Sequence, residues 1–200
     1  MGVSTILDII GSIFVGGLLL LILFRLNTSA TGTLYNSNSE LNVQQSMISV
    51  VEVLESDFRK IGYCKDWTKI PDPSKSILYA DSNSIKFLTD VYNDGVVDSI
   101  YYYIGSTSEL SNSPNPRDRL LYRVVNTEQA KSSNVGITKF TLKYFDALRN
   151  PINENPVSVP ALISSIQIDV QVENTEAFDS VYTVAFWRQI RLAARNLSNR

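Results

Sequence analysis

Three features of the sequence predict an α+β fold. An apolar run near the N-terminus is long enough for a membrane helix, a second stretch repeats its apolar residues every three or four positions, and the remainder alternates with period two. Together they predict one long N-terminal helix, its first half membrane-embedded and its second half packed on an antiparallel sheet of about six strands. The expected organisation is a transmembrane helix over 1–27, a flexible connector over 28–39 and an α+β domain over 40–200.

The apolar run is residues 9–26, IIGSIFVGGLLLLILFRL, with no charge before Arg25 and little polarity beyond Ser12 and three glycines. At ~1.5 Å per residue, roughly 17 residues extend about 25 Å, close to the thickness of a bilayer core. A core helix of a water-soluble domain keeps a polar face, and this stretch has none. A removable secretory signal is the competing reading. It needs a basic segment before the apolar run and a small-residue cleavage site after it. The leading MGVSTILD carries no Lys or Arg, so a retained membrane helix is expected. Asp8 stands at the lip of the run, where an unpaired carboxylate is costly in hydrocarbon. It reads either as an interfacial residue favoured by the positive end of the helix dipole, or as a charge kept for pairing with another subunit.

Residues 27–39, NTSATGTLYNSNS, are rich in side chains that compete with helical hydrogen bonds, so a partly melted connector is expected, with Ser39 placed to cap the next helix. Over 40–63 the period becomes helical. Met47, Val50, Val51, Leu54, Phe58 and Ile61 form the stripe, while Glu52, Glu55, Asp57, Arg59 and Lys60 fall mostly away from it. Met47, Val51, Leu54, Phe58 and Ile61 are the expected packing residues, and Gly62 is placed to end the helix.

Period two begins beyond Cys64. Pro71-Asp72-Pro73 marks a loop, and SIKFLT (84–89) and SIYYYI (99–104) read as paired strands around the turn signal of VYNDGVVD (91–98). Residues 106–118, with Pro114 and Pro116, read as a surface loop, and Arg117, Asp118 and Arg119 read as a solvated loop cluster. Strands follow at 120–125 and 139–145, and the Pro-rich 148–160 reads as loop. In 164–173, Ile166, Ile168, Val170 and Val172 alternate with Gln167, Asp169, Gln171 and Glu173, predicting one face in the core and one in water. A last strand is expected over 182–190, before a polar, basic tail.

Composition narrows the chemistry. The chain has 200 residues, a formal charge of −2 and no histidine, so the usual general base and the commonest metal ligand are missing. Scattered charges of both signs give no basic stripe for nucleic acid. Cys64 is the single cysteine, which rules out an intrachain disulfide and leaves a buried small hydrophobe or an intermolecular pair. Asp90, Asn93, Asp94 and Asp98 cluster around Gly95, but their spacing is not that of a calcium loop, and a hairpin turn is the simpler reading. Tyr101, Tyr102 and Tyr103 alternate between core and surface if they lie in a strand. No catalytic residue, cofactor site or metal site is expected.

The order of these segments resembles the type IV pilin superfamily, and more narrowly the minor pilins and type II secretion pseudopilins of the J-like or W-like type. The resemblance rests on LESDFRKIGY (54–63), the NDG turn before a Tyr-rich strand, LLYRVV (120–125), GITKFTLKYFDA (136–147) and ISSIQIDVQVE (163–173). The N-terminus departs from the family pattern. Gly2, Thr5 and Asp8 keep the order Gly, Thr, acid, but the basic leader and the aromatic first residue are missing and the spacing to the acid is one residue longer. What the resemblance implies is a structural subunit that assembles through its N-terminal helix into a pilus, pseudopilus or tip complex, with Asp8 acting in assembly. Its partners would be other pilin-like subunits, a membrane assembly platform and membrane lipid, in a hetero-oligomer and without nucleic acid. Its place would be the bacterial inner membrane, single-pass, with the C-terminal domain extracytoplasmic. The alternative is a stationary, membrane-anchored accessory subunit that uses a pilin-like domain for docking.

Overall fold

The structure, a computed structural model, describes residues 2–176 and 182–192. A single helix, α1 (Gly2–Arg59), runs for 58 residues, and two compact units divide after Ser39. In the first unit the helix includes residues 27–39, where melted backbone was expected. The hydroxyl side chains there bond to their own helix: Thr28 Oγ1 donates to Phe24 O at 3.0 Å, Thr31 Oγ1 to Asn27 O at 2.9 Å and Thr33 Oγ1 to Ser29 O at 2.9 Å. Side chains satisfied in this way no longer draw the backbone out of the helix. Ser39 is consequently internal to α1 and caps nothing.

In the second unit the helix and sheet share one core. Val43, Met47, Val50, Leu54 and Phe58 are buried at helical spacing, and Val51 packs against the cluster at its margin. Phe58 lies edge-on to Phe87 with ring centroids 5.5 Å apart, and 5.6 Å from the ring of Tyr102. The helix stops at Arg59. Ile61, just past that end, is fully buried, and Gly62 at φ +72° donates its N–H to Leu88 O at 2.9 Å. A Cβ on Gly62 would approach Ser76 Oγ to 2.9 Å, so both the φ and the space select glycine.

Among the described residues the sheet has eight strands: β1 (Ile77–Ala80), β2 (Ser84–Thr89), β3 (Asp98–Ile104), β4 (Arg119–Val125), β5 (Lys131–Phe145), β6 (Pro151–Ile152), β7 (Ser165–Glu173) and β8 (Val184–Leu192). Their order is β1-β2-β3-β4-β5-β7-β8, with β6 beside β5, and every pairing is antiparallel. Two short strands account for the excess over six. One of them, β6, lies in the stretch read as a Pro-rich loop; Pro151 pairs there with Phe145 at the sheet margin, a place that tolerates a missing N–H. Strand β5 also starts earlier than its alternation suggested. Its pairings with β4 and β7 both shift register near Gly136, which has φ +74° and whose Cβ would collide with the carbonyl oxygen of Glu173. Such a bulge breaks the period-two signal inside β5, just before residue 139, where the regular alternation starts. The tail beyond residue 192 lies outside the described residues.

Candidate functional site

The first unit presents an apolar surface that nothing among the described residues covers. Every large apolar side chain described from Val3 to Leu26 is exposed, and the helix is long and apolar enough to cross a membrane. So continuous an apolar sheath requires lipid or other helices around it. Asp8 is exposed on this helix, and the carbonyl of its own backbone accepts a 2.7 Å bond from Ser12 Oγ. The other charge in this apolar segment, Arg25, stands seventeen residues on, about 25 Å along the axis, and cannot neutralise it within the helix.

The second unit contains polar centres that the sequence reading placed in solvent. Asp57 is buried. Its Oδ2 accepts from Tyr102 Oη at 2.6 Å and from Arg123 Nε at 2.6 Å, joining helix α1 to strands β3 and β4. Burial, and then the Asp57 charge, push the Tyr102 phenol far above its ordinary value, so it stays a neutral donor. The acid was legible in principle. Position 57 follows Leu54 by three and Val50 by seven, on the buried stripe, while Arg123 occupies the inward register between Leu121 and Val125. An acid and a base at two apolar-facing positions are the two halves of a buried pair.

Asp90 organises the loop between β2 and β3. Burial opposes its ionisation, but the backbone N–H groups of Gly95 at 2.8 Å, and of Lys65 and Asp94 at 3.1 Å, hold its carboxyl below the usual range. With its oxygens taken by these donors, Asp90 serves as the pin of a turn in which Asn93 and Gly95 have positive φ. Asp98 accepts from Val91 N and Asn126 Nδ2 in the same way. Among the described residues no group of three His, Cys, Asp or Glu is placed to hold a metal ion. Cys64 is buried beside this loop, its Sγ 3.9 Å from Asp90 Oδ2.

On the polar face of β7 the two acids are covered, contrary to the expectation that this face meets water, while Gln167 and Gln171 stay half-buried. Asp169 pairs with Arg188 of β8 at 2.7 Å, and Glu173 with Arg117 at 2.7 Å; both carboxylates are buried. Desolvation works against their ionisation. The donors win, Arg188 and Gln167 for Asp169 and Asn115, Arg117 and Gln171 for Glu173, and both carboxyls lie below the usual range. The loop carrying Arg117 is folded against the sheet: Asn115 is fully buried and donates to Glu173 Oε2 at 3.0 Å. Asp118, read as part of a solvated cluster, is 1 % exposed. Burial pushes its carboxyl up, and one of its oxygens has no hydrogen-bond partner, while the other accepts from Ser113 Oγ. On the outer face of β3 and β4, Tyr101, Tyr103 and Tyr122 stack in a row with centroids 5.0 and 4.7 Å apart, while Tyr102 points into the core.

No protein-family model matches the chain, and no curated protein matches it.

Proposed function

We propose that the chain is a structural subunit of the minor-pilin or pseudopilin kind, held in the bacterial inner membrane by its N-terminal helix and packed through that helix against neighbouring subunits of a pilus, pseudopilus or tip complex. The observation that carries this reading is α1 itself: one helix whose exposed segment is apolar on every side and whose later turns form the core of an α+β domain. An anchor alone needs no continuous helical connection to its domain, whereas a subunit that transmits packing does. The order of sequence segments resembling the J-like and W-like proteins supports the same reading.

Asp8 is assigned to assembly, pairing with a cation or backbone amine at the start of a neighbouring helix. An isolated carboxylate flanked by apolar residues gains much from such a partner. The test is recovery of neighbouring subunits from detergent-solubilised membranes, normalised to the amount of this chain, together with its presence in sheared fibres. Asp8→Asn keeps the side-chain shape and is expected to leave membrane insertion intact while recovery of neighbours falls. Undiminished recovery would return Asp8 to the role of an interfacial residue. Confinement of the wild-type chain to membranes, with no fibre fraction, would point to the stationary accessory role.

A further inference from the structure

A groove of about 320 Å³ opens where the loop before β4 meets β5 and β7. Arg117, Arg119 and Lys139 line it together with the hydroxyls of Thr107 and Thr138, and Glu173 is its one carboxylate. Glu173 is already committed. Its Oε2 accepts from Arg117 Nε and Nη2 at 2.9 and 2.7 Å, and its Oε1 accepts from Gln171 Nε2 at 2.8 Å and Thr138 Oγ1 at 3.3 Å.

Two positive charges are thereby left over. Arg119, with five N–H donors, makes one long bond to Gly105 O at 3.5 Å and no ion pair among the described residues. Lys139 is exposed, and its side chain likewise has no hydrogen bond or ion pair among them. A half-buried arginine and an exposed lysine lining one groove, in a chain of net negative charge, suit an oxyanion. We propose that this groove binds a carboxylate and, resting on the subunit reading above, that the carboxylate belongs to an acidic segment of a neighbouring protein subunit.

Carboxylate is favoured over phosphate because the backbone N–H groups of Ser106, Ser108 and Glu109 in the adjoining turn already have acceptors. The helical turn Thr107–Leu110 is closed by a capping box, in which Ser108 N donates to Ser106 Oγ and Ser106 N to Glu109 Oε1, both at 3.3 Å. Phosphate sites commonly use such backbone N–H groups, and here these three are spent. What remains is the planar fork of Arg119 and the point charge of Lys139, which suit a carboxylate held from two sides.

The test uses the full chain in non-ionic detergent micelles. Nuclear magnetic resonance follows the Arg119 guanidinium and the amides of residues 117–119 and 138–139 during titration with three probes: a capped Gly-Glu-Glu-Gly peptide, its Gly-Gln-Gln-Gly counterpart and inorganic phosphate. The acidic peptide is expected to shift these signals saturably and the neutral peptide to leave them in place. Arg119→Gln and Lys139→Gln should each weaken binding about tenfold, as loss of one charge-assisted contact does. Lys86→Gln, on β2, should not. Unchanged thermal melting of each variant confirms that it is folded. Equal response to the two peptides, or indifference to Arg119→Gln in a folded variant, overturns the site. Tighter binding of phosphate than of the acidic peptide overturns the carboxylate assignment. These titrations need no neighbouring subunit, so failure of the subunit reading shows in co-purification alone.

Discussion

Asp57 shows how much one side chain can hold together. Its carboxylate is tied to Arg123 at 2.6 and 3.3 Å and to Tyr102, so Asp57→Ala leaves a half-buried guanidinium without its counter-charge. Breaking such a pair costs about 3–5 kcal/mol, whereas Tyr102→Phe, which removes one hydrogen bond and keeps the ring, should cost about 1–2 kcal/mol. Urea denaturation of the two variants measures the ratio. Asp118 acts in the opposite sense. Its folded pKa is raised, so the stability it contributes is present below its unfolded pKa and is lost as pH rises through the folded one. Asp118→Asn should therefore melt above wild type at pH 7, with the gap closing as the solution is acidified through the carboxylate range. Asp169 and Glu173 have lowered values and give the reverse dependence: their contribution is present above the unfolded pKa and is lost as pH falls through the folded one. A melting gap for Asp118→Asn that does not shrink in acid would show that the orphaned oxygen, and not the charge, sets its effect.

Among the elements, the later half of α1 was the most legible. A stripe repeating every three or four residues has one burial solution, and Met47, Leu54 and Phe58 are where that solution puts them. Phe58→Ala should cost about 3–5 kcal/mol, since two aromatic rings pack on it, while Glu55→Ala should cost less than ~0.5 kcal/mol, because its 3.4 Å pair with Arg59 is exposed. Equal melting temperatures would refute this packing. Strands of strict alternation were equally readable: Ile166, Ile168, Val170 and Val172 all face the core. What alternation does not report is the second covering of a sheet. The acids of β7 look like a solvent face in sequence, and only tertiary contacts from Arg117 and Arg188 reveal that they are buried. The continuous helix through residues 27–39 was missed for a related reason. Propensity treats Ser and Thr as helix competitors, but the same hydroxyls bond back to the preceding turn when the flanking helices are already formed. The groove of Arg119 and Lys139 was also beyond sequence reading, because the two residues come to line one groove through the bulged pairing of β4 and β5.

At the scale of the whole molecule, the two units separate in solvent preference. Residues 9–26 ask for hydrocarbon, while the unit Glu40–Arg200 carries its own core. The full chain should resist alkaline extraction from membranes, and a chain lacking residues 1–39 should move to the supernatant. Intact mass of the extracted protein should include residues 9–26; a form beginning near Ala30 would instead mark that stretch as a removed signal. The sheet order carries a further consequence. With the short β6 set aside, each described strand lies beside the one that precedes it in the chain. A polypeptide emerging N-terminus first can therefore build this sheet strand by strand onto an edge already in place, each connection joining strands that are neighbours in sequence. The helix is the exception, for its stripe is synthesised before any strand exists to receive it. The interval of greatest danger from misassociation thus falls between the appearance of Phe58 and the arrival of Phe87 and Tyr102, the rings that first enclose it.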